Sequence, residues 1–133
     1  MNYDQFLGAL CLWREARGAS LPAKTAIWSV IQNRANDPSH RWPKSIHDVI
    51  VQPYQFSSFL ASDPNVTAWP TDRHPADWQA WLDCCNVVQV PLTADPVDGA
   101  TNYESEPDGT PRPNWTTKMT QVATIGPFRF YRG

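Results

Sequence analysis

Apolar positions at helical spacing fill the first third of the chain. Tyr3, Phe6, Leu7, Leu10 and Trp13 fall on one side of a helix predicted from about Tyr3 to Ala16. Gly18 suits the left-handed position that closes a helix, and Arg17 puts a cation near its end. After a short link, Pro22 stands near a helix start. Ala23, Ala26, Ile27, Val30 and Ile31 then give a second amphipathic pattern, to about Arg34, that should pack on the first. Residues 36–43 read as loop, and Ser45 can cap a short helix from Ile46 to Val51 with Ile46, Val49 and Ile50 inward. The run Gln52 to Phe59 is aromatic and polar without a helical period, which predicts a short strand or an ordered loop. Ala61 to Pro75 is a proline-rich connection. Helix resumes at about Ala76, with Trp78, Trp81, Leu82, Cys85 and Val88 on one face, and stops before Pro91.

The last third changes period. Gly99 to Glu104 reads as a strand, and Pro107-Asp108-Gly109-Thr110-Pro111 as a turn-rich loop. Met119 to Ile125 and Phe128 to Tyr131 are β-prone runs joined by Gly126-Pro127, a hairpin pattern. Helices first and a small antiparallel sheet last make an α+β layout. A length of 133 residues predicts one domain over 1–133 with a core of its own.

Composition narrows the function classes. With 41% hydrophobic residues the chain is globular. The net charge is −2 and no lysine-arginine run is present, which argues against a nucleic-acid or anionic-membrane footprint. No apolar run approaches membrane-spanning length. Met1-Asn2-Tyr3-Asp4 does not open a basic, apolar export signal, so synthesis in the cytoplasm without membrane insertion is expected. The three cysteines, Cys11, Cys84 and Cys85, make a poor disulfide framework; Cys85, on the apolar stripe, is expected as a buried free thiol. Among seven tryptophans, Trp13 and Trp81 fall on helical stripes and read as core. Trp42, Trp69 and Trp115 lie in loop-like segments, where such rings either stack on flat ligand faces, sugars included, or plug the core under long loops.

One carboxyl group stands out. Glu15 falls at the C-terminal end of the first helix, where the helix dipole disfavours a negative charge, and Leu12, Cys11 and Gly8 precede it on its own side. Desolvation and the dipole push its pKa up, while Arg14 and Arg17 pull it down. A carboxyl kept partly protonated near neutral pH is what general-acid chemistry requires; the competing reading is a solvated glutamate in a surface ion pair. Other constellations are weaker. His40, His47 and His74 lack zinc-ligand spacing, and Asp95 to Gly99 lacks the calcium-loop pattern and reads as a turn. No Gly-rich phosphate loop, no G-x-S-x-G elbow and no local motif for a Cys/His nucleophile pair is present.

Three blocks, in order, resemble the SleB-type cell-wall hydrolases, a family that includes spore cortex-lytic enzymes and small phage lysins. The first is Trp13-Arg14-Glu15-Ala16-Arg17-Gly18 with Ala26 to Asn33-Arg34. The second is Val49-Ile50-Val51-Gln52-Pro53-Tyr54-Gln55-Phe56-Ser57. The third is Asp95-Pro96-Val97-Asp98-Gly99-Ala100, Tyr103, Val122 to Gly126 and Phe130-Tyr131-Arg132. The resemblance implies a lysozyme-like α+β fold related to lytic transglycosylases, a peptidoglycan substrate, and no metal or other cofactor. It implies that Glu15 is catalytic, that Gln55, Phe56 and Ser57 line the cleft opposite it, and that Tyr103 borders the sugar subsites. Arg17, or Arg14, is a candidate for holding lactyl or peptide carboxylates, with helix capping and ion pairing as competing roles. The family's second motif glutamate is Ala19 here, and its histidine before the final Phe-Tyr is Phe128.

The activity so implied is cleavage between N-acetylmuramic acid and N-acetylglucosamine. A hydrolytic muramidase needs a second carboxylate, for which Asp48, Asp98, Glu104 and Glu106 are candidates. A lytic transglycosylase needs only Glu15. A glycan-binding or virion module that has lost the chemistry is the alternative from another class. The expected setting is a monomeric phage-type endolysin that reaches the wall after the membrane is breached, or is delivered with a virion.

Overall fold

The computed structural model describes residues 1–39, 41–52, 55–105 and 111–133, with the side chain of Ser57 also left out of the description. Helix α1, Tyr3–Ala16, starts at a reciprocal cap: the Asn2 carboxamide oxygen accepts from the Gln5 amide at 2.8 Å, and the Gln5 side chain accepts from the Asn2 amide at 2.9 Å. Helix α2, Leu21–Asn36, is capped by Ser20 with Pro22 in its first turn; α3, Ile46–Val51, is capped by Ser45. Two 3-10 turns, Ser57–Phe59 and Pro64–Thr67, punctuate the long connection to α4, Pro75–Gln89. The run expected as strand or loop is thus a tight turn wherever it is described.

Helix α1 is the centre of the bundle, packed by α2, α3 and α4. Burial therefore runs around it from Leu7 to Arg14 instead of along one stripe, and Tyr3 and Phe6, at its free end, stay exposed. Helix α4 corrects the expected face. Ala80, Cys84, Val87 and Val88 are buried, while Leu82 is exposed and Trp78, Trp81 and Cys85 are only partly covered. Small side chains at 80 and 84 let α4 lie close against α1. The bulky residues are left at the margin, where Trp81 meets Phe6 edge-on at 6.0 Å. The deeply buried thiols are accordingly Cys11 and Cys84, and Cys85 is half-buried.

Three strands complete the α+β fold: β1 Asn102–Ser105, β2 Thr120–Ile125 and β3 Phe128–Arg132, antiparallel in the order β1-β3-β2. Gly126 takes φ 57° and Pro127 follows, so the hairpin turns in two residues as expected. Strand β1 starts later than Gly99 because Asp95 holds a turn, accepting from the amides of Val97 at 2.9 Å and Gly99 at 2.6 Å. Opposite each other in the register, the buried Glu104 and the half-buried Arg129 form an ion pair whose carboxylate also accepts from the Tyr131 hydroxyl at 3.3 Å. Most of the loop expected at Pro107–Pro111 lies outside the described residues. No helix among those described is long and apolar enough to cross a membrane.

Helices α1 and α2 approach closely at Gly8, where an added Cβ would run into the Trp28 ring. Alanine ordinarily gains about 1 kcal/mol over glycine inside a helix. Overpacking costs roughly 1–3 kcal/mol, and here the clash is with a rigid, buried indole. Gly8→Ala is expected to lower stability, read as a lower urea midpoint with an unchanged slope.

Candidate active site

The C-terminal end of α1 runs into the protein, where its last carbonyls need donors. A left-handed glycine does not supply the closure: Arg17 is right-handed helical and Gly18 does not adopt a positive φ. The Lys24 ammonium, reaching back from α2, donates to the carbonyls of Arg17 at 3.1 Å and Ala19 at 2.7 Å. Lys24 is only 2% exposed. The Ala19 amide closes the helix on the Ala16 carbonyl at 3.0 Å, and a cation from the next helix takes the carbonyls just beyond it, in place of the left-handed glycine expected at Gly18.

Glu15, in this last turn, is half-buried, and the Ser58 hydroxyl donates to its Oε1 at 3.0 Å. Burial raises its pKa above the usual carboxylate value; hydrogen bonding by the Ser58 hydroxyl and backbone opposes the rise, and the negative charge of Asp63 adds to it. The two flanking arginines do not hold it down as the sequence suggested, because each is engaged elsewhere. Arg14, 8% exposed, donates to the carbonyls of Ser58 at 3.4 Å, Val66 at 3.0 Å and Ala68 at 3.1 Å, and lies against the rings of Phe59 and Trp69. Arg17 stacks on Trp13 at 3.9 Å and pairs with Asp77 at 3.8 Å.

Glu15 opens onto a cleft of about 480 Å³, walled on one side by Arg14 to Ser20 and on the other by the hairpin tip Gly126 to Phe128. Arg17 and Ala19 lie along it, and Phe128 faces them from the sheet. The Gln55-Phe56-Ser57 segment sits differently from expectation. Gln55 is exposed, and Phe56, 2% exposed, is packed into the core beneath Arg34. The Ser57 side chain lies outside the described residues. What this segment gives to Glu15 is Ser58, the next residue along. Tyr103 is half-buried behind the hairpin wall, against Phe128 at 5.9 Å and Phe130 at 5.8 Å. Burial raises its hydroxyl pKa far above the usual value, and the charges of Cys11 and Glu15 add to the effect.

The candidate second carboxylates among the described residues are committed elsewhere. Asp48 is exposed and bonded to His47 at 2.9 Å; Asp98 is exposed and pairs with Arg132 at 2.8 Å; Glu104 is taken by Arg129; Glu106 lies outside the described residues. The carboxylate the sequence reading missed is Asp63, half-buried, whose charge reaches Glu15 while it accepts from the Asn65 amide at 2.8 Å. Its local signal, Asp before Pro, marks only a turn. Cys11, one helical turn before Glu15, is fully buried, and burial followed by the Glu15 charge raises its thiol pKa, which leaves it a poor nucleophile. Among the described residues no group of three His, Cys, Asp or Glu side chains could hold a metal ion.

Comparison with known proteins bears on the family and the fold. The family model described as cell wall hydrolase matches residues 18–131, beginning just after Glu15. The chain is 32% identical over 123 residues to a spore cortex-lytic enzyme of Halalkalibacterium halodurans, covering 92% of this chain and about a third, 33%, of that protein. The catalytic domain of the Bacillus cereus SleB protein superposes with a TM-score of 0.67 at 26% identity, over 97% of this chain and 89% of that one. The catalytic domain of the germination-specific lytic transglycosylase SleB from Bacillus anthracis superposes with a TM-score of 0.68 at 23% identity, over 99% and 97%. The fold is therefore that of the SleB catalytic domains, a lysozyme-like arrangement of helices and a small sheet.

The raised pKa of Glu15 has a consequence for stability. A carboxyl whose pKa is higher folded than unfolded favours folding below the unfolded value, and that contribution is lost as pH rises through the folded value. Glu15→Gln removes the cost of ionising a buried group. Its melting temperature is expected to exceed that of the parent at pH 7–8, with the difference shrinking toward pH 4; thermal melts across this range check it.

Proposed function

Because the chain belongs to the cell wall hydrolase family, we propose that it is a SleB-type enzyme acting on peptidoglycan, a lytic transglycosylase that cuts between N-acetylmuramic acid and N-acetylglucosamine. The observation that carries this reading is Glu15: a carboxyl at the end of the central helix, raised in pKa by burial and set in an open cleft. The other described acidic candidates are tied to local partners, which supports a mechanism with one acid rather than two.

In that mechanism the protonated Glu15 gives its proton to the glycosidic oxygen as the bond to the muramic C1 breaks. Positive charge builds on the sugar ring. The 6-hydroxyl of the same sugar then closes on C1, and the Glu15 carboxylate takes up the hydroxyl proton. The products are a 1,6-anhydro muramyl end and a free N-acetylglucosamine end; no water is consumed and Glu15 is returned protonated. A group that must act first as acid and then as base works best with a pKa near the operating pH. The raising by burial and the lowering by Ser58 act in the directions needed for such a balance.

Asp63 is the observation that favours a second reading, a hydrolytic muramidase, because it places another carboxylate within electrostatic reach of Glu15. For the setting, we propose a monomeric endolysin made in a reducing compartment and admitted to the wall when the membrane is breached. Free Cys11, Cys84 and Cys85 support the reducing compartment.

Glu15→Gln is expected to lose about 10²–10⁴-fold in murein-solubilising activity while still sedimenting with murein. A parent that binds murein and solubilises none would point to a glycan-binding module instead, and a variant as active as an active parent would overturn Glu15 as the proton donor. Mass spectrometry of the soluble products is expected to show 1,6-anhydro muramyl ends, whereas reducing muramic ends throughout would establish the hydrolase.

A further inference from the structure

The residue before Glu15 is a buried arginine that makes no ion pair with it. Among the described residues its hydrogen bonds go to backbone carbonyls of one loop: Nη1 to Ser58, Nη2 to Val66, and Nε and Nη2 to Ala68. The loop's aromatic residues Phe59 and Trp69 lie against the same guanidinium, at 4.9 and 5.2 Å. The loop returns one polar side chain to α1, the Ser58 hydroxyl on Glu15 Oε1. Ser58 itself is 3% exposed, so this hydroxyl has little water to turn to.

We propose that Arg14 is a positioning residue: it gathers the 58–69 loop through the carbonyls of Ser58, Val66 and Ala68, and so fixes the Ser58 hydroxyl on one oxygen of Glu15. One hydrogen bond then restricts the carboxyl rotamer and biases the transferable proton to the other oxygen. A guanidinium suits this task better than an ammonium. Its planar, forked donors reach several carbonyls at once, and it stays charged when buried. The proposal rests on Glu15 being the proton donor.

The electrostatics around Glu15 make the effect readable. The charged and titratable groups coupled to Glu15 are Asp63 from the loop, Cys11 on α1 and Tyr103 on β1, while the cations act on other partners: Arg14 on the loop carbonyls, Arg17 on Asp77, Lys24 from α2 on the Arg17 and Ala19 carbonyls, and Arg34 from α2 on Cys11 and Tyr103. The hairpin tip presents only Gly126, Pro127 and Phe128. Of these groups, Ser58 and its loop are what Arg14 controls. Hydrogen bonding by Ser58 favours the ionised carboxyl, so its loss should carry the acid's deprotonation to higher pH.

The test is kcat/KM against pH on solubilised murein glycan for the intact chain and for Ser58→Ala, Ser58→Thr, Arg14→Lys and Arg14→Lys/Ser58→Ala. Ser58→Ala is expected to move the alkaline limb upward and to lower kcat about tenfold to a hundredfold, with KM little changed. Ser58→Thr should restore both. Arg14→Lys keeps the charge and should reproduce the Ser58→Ala profile, and the double variant should lose no more than Ser58→Ala alone, because both changes remove one interaction. An unmoved limb in Ser58→Ala overturns the proposal even if Arg14→Lys folds poorly. Losses that multiply in the double variant overturn it as well. Glu15→Gln in the same assay keeps the two claims apart: retained activity there defeats the assignment of the donor, whereas an inactive Glu15→Gln with an unshifted Ser58→Ala defeats only the role given to Arg14.

Discussion

A helix surrounded by its own protein must have its end satisfied from within. Helix α1 is packed by three others, and its carbonyl end cannot rely on bulk water. The Lys24 ammonium answers that requirement through the Arg17 and Ala19 carbonyls. Together with the Ala19 amide on the Ala16 carbonyl, this contact holds the end of α1 in place and sets Glu15 in the wall of a cleft instead of the tip of a frayed helix. It also puts a buried cation against the helix end, where a partial negative charge favours it.

The same segment handles its other charges by sending them away from the carboxyl. A buried guanidinium left without acceptors would cost several kcal/mol, so the long connection after α3 folds with its carbonyls turned toward Arg14. Arg17 is drawn off by the Trp13 face and Asp77. Two cations close in sequence to Glu15 are thereby used as structure, and burial is left as the largest influence on its protonation. Arg34 illustrates the cost of such burial elsewhere: its pKa falls to about 10, chiefly through desolvation, although it donates to the Thr101 carbonyl at 2.6 Å and stacks over Trp42.

The sheet supplies the opposite wall. Because Gly126 takes a positive φ, the β2–β3 hairpin turns tightly and its tip reaches the cleft. Phe128 stands there where the family pattern has a histidine, backed by Tyr103 and Phe130. This wall is therefore apolar, and polar contacts near Glu15 come from the 58–69 loop. The part-buried Glu104–Arg129 pair joins β1 to β3 behind it and keeps that carboxylate out of the cleft.

Local pattern was enough for the helices, the Ser45 cap and the hairpin. The spacing of apolar residues places α1 and α3 at their observed bounds, Ser45 caps as expected, and Gly126-Pro127 turns the last two strands. These features depend on residues a few positions apart, so the sequence holds all their determinants. The position of Glu15 at a helix end was equally legible. Which face of α4 goes inward was not, because its period allows more than one stripe and the choice fell to the close fit of Ala80 and Cys84 on α1. Nor were Ser58 and Asp63, 43 and 48 residues beyond Glu15, visible as its neighbours. Only the folded chain brings them there, because where a loop comes to rest is set by distant partners, here the carbonyl acceptors that a buried arginine demands.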